Sequence, residues 1–357
     1  MNYFLNHMKL HGLTFIGIVL AGALVGTLSC LDVIHFPAPA GVEEALVFQG
    51  TILKGNPSVV RVQVNQLFDF TAASLLPVCV KVMELEDVEG NTVRLPEVRK
   101  GLYEMEFQTG SQSVEIVFGN SYRLHTITHD GREYMTSFEP LHDVPKPDSI
   151  VLDTIEIDVI NSLGELAKKK KFLFSINTPI IVLGQAEKSY LKWDIERTYK
   201  LTDSRQKVCY ITEYVVGTAL KVLNGSAVSM DHIEEFPLHQ SSIIFPYAEG
   251  LYMSIYQQSL SAGAYEYWDQ IVQLVVRTGN MFEPRVGTVV TNFRNVNDPN
   301  EQVFGYFYAT TADTIRIYIS PEDANFPKPF CPIESDICAN CLSTPRSTLT
   351  KPDYWIE

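Results

Sequence analysis

The sequence predicts a mainly β fold: an N-terminal Ig-like or transthyretin-like β-sandwich, followed by a larger β-rich domain that carries one substantial helix. Three observations support this prediction. The chain has 357 residues, which is enough for two domains of ordinary size. Its composition, 46% hydrophobic and 20% charged, is that of an ordered globular protein. Short runs of β-branched and aromatic residues alternate with polar ones along most of its length.

The first element is an uncharged segment from Gly12 to Leu28, which follows Lys9 and precedes Cys30. A weakly positive start, an apolar middle and an exit of small residues are typical of a secretory signal peptide. An exit that ends in cysteine resembles a bacterial lipoprotein signal, so residues 1–29 are predicted to be removed and the cysteine to be acylated. Two alternatives stay open: an uncleaved membrane anchor, for which the run is short, and a signal peptide cleaved at another bond.

Residues 30–45 are rich in proline and alanine and are predicted to form a tether between the acylated cysteine and the folded body. Each buried methylene of an acyl chain contributes about 0.8 kcal/mol, so several chains hold a water-soluble body on a bilayer. Because the body would then fold outside the cytoplasm, disulfide bonds are compatible with it.

Residues 46–145 are predicted to form the N-terminal sandwich. Period-two runs such as LVFQGTIL and VVRVQVNQ follow one another at short intervals, as they do in two-sheet sandwiches. Gly90-Asn91 and Asp130-Gly131 supply residues that accept a positive φ, so both pairs predict hairpin turns. Pro145 and Pro147 interrupt any strand ladder and mark the end of this domain.

Residues 146–330 are predicted to form the larger β-rich domain, with strands in runs such as FLFSINTPIIVL and TIRIYIS. A helix is predicted near residues 262–278, because apolar residues recur there at helical spacing and Gly279-Asn280 supplies a stop. The apolar positions are Ala264, Trp268, Ile271, Val272 and Val275.

Residues 331–357 have no periodicity and are predicted to form a tail that is fixed by its cysteines. Cys331, Cys338 and Cys341 lie close together in the sequence. Outside the cytoplasm, a structural disulfide is favoured over zinc binding or a redox pair for such a cluster. Acylation of the first of the 6 cysteines leaves an odd number, so at least one thiol stays free. Cys79, within a strand pattern, is the candidate for a buried free thiol.

Charge and motif content exclude several functional classes. The chain has 28 Lys and Arg against 42 Asp and Glu, a net charge of −14 that repels phosphate backbones, so no nucleic-acid partner is expected. The sequence contains no H-E-x-x-H, G-x-S-x-G, Walker A or dinucleotide-binding motif. We therefore assign no catalytic residue and no cofactor.

Two clusters contain residue types that bind metals. On a strand, His125 and His129 would share one face while Asp130 points to the other, so ordinary surface histidines are the favoured interpretation. The loop Asn295–Glu301 is rich in oxygen ligands but lacks the glycine and spacing of an EF-hand loop, and turns contain the same residues. Neither cluster is assigned as a metal site. The run Lys168–Lys171 is expected in a solvated loop or at a hairpin end.

Several segments together resemble one bacterial family. They are GLYEMEF, YRLHTITHDGREYMTS, YEYWDQIVQLVVRTGNMFEP, EQVFGYFYATTADTIRIYIS and the closing CANC and KPDYW. The most specific parts are the helix segment followed by Gly279, Phe282 and Pro284, and the strand residues Gly305–Phe307. With the lipoprotein-type cysteine, these segments resemble the Bacteroidetes outer-membrane lipoproteins that contain the domain of unknown function 4249.

The resemblance implies an outer-membrane lipoprotein that is anchored in the bilayer through acylated Cys30 and faces the cell surface rather than the periplasm. Members are often encoded beside TonB-dependent receptors. The resemblance therefore implies a non-enzymatic accessory or substrate-binding partner of such a nutrient transporter, with no catalytic residue to carry over. Two other functions stay open: a surface hydrolase that acts on glycans or peptides, and a structural or adhesive surface protein.

Overall fold

The structure, a computed structural model, describes residues 45–66, 76–110, 112–160, 162–216, 220–275, 289–326 and 336–356. The predicted signal peptide (residues 1–29), the predicted tether except its last residue, and Cys331 lie outside these ranges. Within the described ranges, no helix has the length and apolar composition needed to cross a bilayer.

The fold is mainly β, which confirms the predicted class. The strands are, in chain order, β1 (Leu46–Lys54), β2 (Ser58–Gln66), β3 (Leu76–Pro77), β4 (Val80–Asp87), β5 (Thr92–Arg94), β6 (Glu97–Arg99), β7 (Leu102–Phe107), β8 (Ser121–Thr128), β9 (Glu133–Thr136), β10 (Glu139–Pro140), β11 (Ser149–Ile160), β12 (Leu166–Pro179), β13 (Tyr190–Thr202), β14 (Val208–Val215), β15 (Lys221–Asn224), β16 (His232–Ser242), β17 (Leu251–Leu260), β18 (Phe293–Asn295), β19 (Phe304–Ile319) and β20 (Ser347–Thr348). The α-helices are α1 (Ala262–Val275), α2 (Pro321–Ala324) and α3 (Asp336–Ala339). The first of these helices lies inside the range 262–278 that the sequence predicts.

These strands form three sheets. The largest has the order β20-β14-β13-β17-β19-β1-β2-β7-β6, with β15 also paired to β13 and β3 to β2. The second has the order β18-β9-β8-β4-β5, with β10 paired to β8. The third contains β11, β12 and β16, and β12 is its central strand.

The long strand β19 joins two halves of the largest sheet. Its first half, Phe304–Thr311, pairs in parallel with β1. Its second half, from residue 312 to Ile319, pairs antiparallel with β17. Because the partner strand changes in the middle of β19, one continuous strand belongs to two β-sandwiches.

The first sandwich packs the β1 half of the largest sheet against the second sheet. Its buried core includes Phe48 and Phe307 from the largest sheet and Leu124 and Phe293 from the second. Phe48 stacks on Phe293 with ring centroids 4.5 Å apart. Since β18 and β19 follow residue 145 in the sequence, this sandwich contains strands from both sides of the predicted boundary.

The second sandwich packs the β17 half of the largest sheet against the third sheet. Its core includes Trp193 and Tyr199 on β13, and Phe172 and Phe174 on β12. Even-numbered residues of β12 from Phe172 to Ile176 point into this core, as the period-two rule requires. The described residues of both sandwiches belong to one compact unit, which spans 41–357.

The predicted turns are present. Gly90 lies between β4 and β5 with φ of 84°, and Gly131 lies between β8 and β9 with φ of 89°. No turn is predicted at Gly305, but it has φ of 93°, and a Cβ atom there would lie 1.8 Å from the carbonyl oxygen of Phe48. Only glycine permits this close approach of β19 to β1.

Candidate functional site

Helix α1 lies on the largest sheet through aromatic contacts. Tyr267 stacks on Tyr306 of β19 with ring centroids 5.1 Å apart, and Trp268 meets Tyr308 edge-on at 6.0 Å. The ammonium group of Lys192 on β13 lies 4.7 Å from the centroid of the Trp268 ring. Ala264 in the first turn and Trp268, two of the predicted apolar positions, therefore pack against the sheet, whereas Val275 is 48% exposed.

A buried carboxylate lies beneath this first turn. Glu139 on β10 is 4% exposed and accepts three hydrogen bonds: from Ser261 Oγ at 2.6 Å, from the Tyr306 hydroxyl at 2.7 Å and from Asn292 Nδ2 at 3.3 Å. Ser261 Oγ also accepts a hydrogen bond from the amide of Ala264, which caps the helix. Burial raises the pKa of Glu139, and the three hydrogen bonds oppose that effect. Glu139 thus connects β10, β19, α1 and the segment before β18.

A cavity of about 550 Å³, which we call the arginine cavity, opens on one side of this network. Two guanidinium groups face it. Arg123 is held by two hydrogen bonds to Glu86, of 2.9 and 2.7 Å, and its guanidinium carbon lies 4.6 Å from the centroid of the Phe138 ring. Arg294 is exposed and makes no ion pair with any residue that the structure describes. Glu266 of α1 lines the same cavity.

A second cavity of about 720 Å³, which we call the histidine cavity, adjoins Ala262 at the start of α1. His142, Glu187 and Tyr190 line it. Burial lowers the pKa of His142, and the charge of Glu187 opposes this shift. Lys188 at its edge donates hydrogen bonds of 2.7, 3.1 and 2.9 Å to three consecutive backbone carbonyls, those of residues 228–230.

Both cavities reach the N-terminus of α1, because Gly263 lines the arginine cavity and Ala262 lines the histidine cavity. Their linings combine aromatic faces, hydroxyl groups and charged groups of both signs. Cavities of this volume are in the usual range for small-molecule sites. The arrangement is therefore suited to holding a polar ligand by stacking and hydrogen bonding. Sequence reasoning singled out none of Arg123, Glu139, His142 or Arg294, since none belongs to a recognisable motif.

His125 and Asp130, which lie close together in the sequence and are not assigned as a metal site, have separate partners in the structure. On β8, His125 lies between two carboxylates, with Nε2 2.8 Å from Glu133 and Nδ1 3.5 Å from Glu84. Asp130 instead accepts hydrogen bonds from Thr128 and Arg132 in the following turn. Among the described residues, no group of three or more His, Cys, Asp or Glu side chains is arranged to hold a metal ion.

The oxygen-rich loop Asn295–Glu301 uses its side chains within the turn. Asn295 Oδ1 accepts hydrogen bonds from two backbone amides, those of residues 297 and 298, at 2.8 and 3.1 Å. Asp298 Oδ1 accepts one from the amide of residue 300 at 3.0 Å. Glu301 accepts one from the Tyr134 hydroxyl at 2.6 Å. These oxygens thus stabilise the loop and join it to β9.

One cysteine of the tail fixes it to the second sandwich. Cys341 forms a disulfide bond with Cys209 of β14, a partner 132 residues earlier that the sequence did not connect with the tail. Cys338 is disulfide-bonded as well. Cys79 is the free cysteine of the described residues and is only partly buried. Cys30, the predicted lipidation site, lies outside the described residues.

Comparison with known proteins gives one match. A family model described as "Domain of unknown function (DUF4249)" matches residues 34–316. This range contains every residue named above as lining either cavity. No curated protein and no solved structure matches the chain.

Proposed function

The chain belongs to the DUF4249 family, and from this premise we propose that it is a non-enzymatic, ligand-binding lipoprotein that assists a TonB-dependent nutrient transporter. In this proposal a Bacteroidetes cell displays it on the outer-membrane surface, anchored through acylated Cys30. The observation that carries the proposal is the pair of open cavities at the N-terminus of α1. They give the exported body a place to hold a nutrient before transport.

The cysteine chemistry supports a location outside the cytoplasm. The disulfide between Cys209 and Cys341 joins a strand of the second sandwich to the tail. Disulfides form and persist in oxidising compartments and are rare in the reducing cytoplasm. A signal peptide that ends at Cys30 would deliver the chain to such a compartment.

The lining of the arginine cavity supports binding of a polar nutrient. The Phe138 side chain is 38% exposed, so a sugar ring or a planar group has an aromatic face to contact. The guanidinium group of Arg294 has N–H donors, and it makes no ion pair with a described carboxylate. Ser137 and Thr291 add exposed polar groups to the same lining. A hydroxyl-rich or carboxylate-bearing ligand matches these groups.

Co-purification from native outer membranes tests the accessory role. We expect a TonB-dependent receptor to accompany the affinity-tagged protein in near-stoichiometric amount. A Cys30→Ser variant provides the matched control, and we expect it to leave the membrane fraction and lose the receptor. Recovery of the tagged protein from intact outer membranes without any such receptor would contradict the proposal.

Ligand binding is tested separately by thermal unfolding in the presence of sugars, sugar acids and short peptides. We expect one of these classes to raise the melting temperature, and Arg294→Gln or Phe138→Ala to abolish that rise. Arg61→Gln is the matched control. Arg61 is also exposed, but it lies on β2, pairs with Glu104 of β7 and lines neither cavity. Turnover of the added glycan or peptide would instead favour the surface hydrolase.

A further inference from the structure

The arginine cavity is lined by charged groups of both signs. Its charged lining residues are Arg123, Arg294 and Glu266. Arg123 donates two hydrogen bonds to Glu86, so its positive charge is compensated within the second sheet. A ligand in this cavity therefore meets the charges of Arg294 and Glu266.

Arg294 is the positively charged group that stays unpaired. It lies on β18 opposite Met135 of β9, and this register makes Glu133 its diagonal acidic neighbour. Glu133 instead lies 2.8 Å from His125 Nε2. Arg294 makes no hydrogen bond or ion pair with any residue that the structure describes. The planar guanidinium group therefore keeps its N–H donors for a carboxylate of a ligand.

Glu266 is the negatively charged group that stays unpaired. It is exposed on α1, and in the described part of the chain it accepts no hydrogen bond and makes no ion pair. Gly263 and Gln270 lie three residues before it and four residues after it, so all three share one face of the helix. This face of α1 borders the arginine cavity, because Gly263 and Glu266 both line it.

Contacts at both ends of this helix face hold Glu266 in place. Towards the start of α1, a Cβ atom at Gly263 would lie 2.3 Å from the Tyr306 hydroxyl, so the helix backbone approaches that tyrosine closely. Towards the end of α1, Gln270 Oε1 accepts a hydrogen bond of 2.8 Å from the amide of Val290. Glu266 lies between these two contacts, beside the segment that leads into β18.

Arg294 and Glu266 do not pair with each other, although they line the same cavity of about 550 Å³. The cavity therefore presents one positive and one negative position that are separate from each other. A ligand with a single charge covers the second group without pairing it, and the water lost from that group is then not replaced. A ligand that carries both charges pairs with both groups, so charge complementarity selects a zwitterion.

Apolar surface lies beside the two charged groups. The Phe138 side chain is 38% exposed, and the guanidinium carbon of Arg123 lies 4.6 Å from the centroid of its ring. This cation–π contact holds the ring in position. Val290, which is half-buried, lines the cavity as well. An apolar side chain of a ligand can therefore be covered while its charged groups are paired.

We propose that the arginine cavity binds a zwitterion: a free α-amino acid or a short peptide that has an apolar side chain. The carboxylate of the ligand pairs with Arg294, its ammonium group pairs with Glu266, and its side chain contacts Phe138. This inference rests on the proposed function, because it names the class of nutrient that the cavity holds. Neutral sugars and sugar acids lack the ammonium group that would pair with Glu266.

Calorimetric titration of the purified full-length chain in detergent tests the need for both charges. The probes are L-phenylalanine, phenylpropanoate, which lacks the ammonium group, and phenylethylamine, which lacks the carboxylate. We expect L-phenylalanine to bind at least tenfold more tightly than either analogue. A dipeptide of two phenylalanines is titrated in parallel. Tighter binding of the dipeptide would identify a peptide site, and tighter binding of L-phenylalanine would identify an amino-acid site, and both results support the proposal.

Two variants test which side chain recognises which charge. Arg294→Gln is expected to lower the affinity for L-phenylalanine at least tenfold and to change that for phenylethylamine less than twofold. Glu266→Gln is expected to cause the same loss for L-phenylalanine and to change the affinity for phenylpropanoate less than twofold. Arg61→Gln and Glu106→Gln are the matched controls, because both side chains are exposed and neither lines the cavity.

These variants are expected to fold as the wild type does, because Arg294 and Glu266 are exposed and have no partner among the described residues. Their melting temperatures without ligand should therefore equal that of the wild type. An equal fall in Arg294→Gln, in Glu266→Gln and in the double variant would show that the two side chains pair with each other. That result would overturn the proposal.

Two binding results would also overturn the proposal. Phenylpropanoate that binds as tightly as L-phenylalanine, with no effect of Glu266→Gln, would make the cavity a site for anions. Failure of every zwitterion to bind would refute the ligand class. If a neutral sugar or a sugar acid then bound through Arg294, the proposed function would stand without this inference. If no compound bound and no receptor co-purified, the proposed function would fail as well.

Discussion

The Tyr306 hydroxyl donates a hydrogen bond of 2.7 Å to Glu139 Oε1, so the strand shared by the two sandwiches also holds the carboxylate that lies between the two cavities. Tyr306 further stacks on Tyr267 of α1. Tyr306 also lines the arginine cavity, so one side chain couples the position of the helix to the shape of that cavity.

Removing this hydroxyl is expected to destabilise the protein. In Tyr306→Phe the ring contacts remain, but Glu139 loses one of its three donors and stays buried. The expected loss is about 1–3 kcal/mol of unfolding free energy, the usual range for removing one hydrogen bond to a buried carboxyl group. Urea unfolding measures it. Tyr214→Phe, at a tyrosine that is 64% exposed, is the control, and equal midpoints for the two variants would contradict the role of the bond.

Acid is expected to destabilise the second sandwich through His239. Burial, aided by the positive charges of Arg197 and Lys171, lowers the pKa of His239 to about 4. The folded protein thus binds this proton less tightly than the unfolded chain, whose histidine has a pKa of about 6.5. The contribution of neutral His239 to the free energy of unfolding is fully present above pH 6.5, and it is lost as the pH falls towards 4.

The measurement compares unfolding free energies at pH 7 and pH 5. We expect His239 to account for a loss of about 1–2 kcal/mol between these values. His239→Phe, which keeps a ring against Phe174, should remove that part of the loss. His129→Phe, at an exposed histidine, should retain the wild-type difference. Identical pH dependence in all three proteins would show that burial does not control this group.

The disulfide between Cys209 and Cys341 is expected to contribute substantially to stability. It closes a sequence separation of 132 residues, and a native disulfide of this kind typically contributes about 2–5 kcal/mol. Cys209→Ser with Cys341→Ser should therefore lower the melting temperature by several degrees. Cys79→Ser, at a cysteine without a disulfide, should change it little. A double variant that melts with the wild type would contradict the expectation.

A side chain at position 305 is expected to separate β1 from β19. Gly305→Ala would place a Cβ atom 1.8 Å from the Phe48 carbonyl oxygen, so the parallel pairing must shift or break. Gly131→Ala is the matched control, because Gly131 has a similar φ of 89° but no atom within 4 Å of the new Cβ. We expect a cost of about 1–2 kcal/mol for the control, since a Cβ atom disfavours a positive φ, and loss of soluble folded protein for Gly305→Ala.

Local patterns in the sequence predicted much of the fold. Period-two alternation marked strands such as β1, β2 and β8, and helical spacing marked α1, since both depend on neighbouring residues. Gly90 and Gly131 were recognised because a turn with positive φ has a local signature. These features need no knowledge of which distant segments meet.

Long-range pairings were not predictable in the same way. Nothing local in Phe304–Ile319 indicates that its two halves pair with different strands. The same applies to Glu139, which is buried only because Ser261, Asn292 and Tyr306 converge on it. Likewise, the partner of Cys341 is a single cysteine within a distant strand. The candidate site depends on such convergences, so its residues were missed although its helix was predicted.

The shared strand also determines when the fold can be completed. Thr311 of β19 donates a hydrogen bond to the Lys54 carbonyl, across 257 residues of chain. A ribosome releases β1 first, so the edge of β1 that awaits β19 stays unpaired until most of the chain has been made. Unpaired edges are templates for aggregation. The newly made chain must therefore be kept apart from its copies until a single late strand arrives to close both sandwiches.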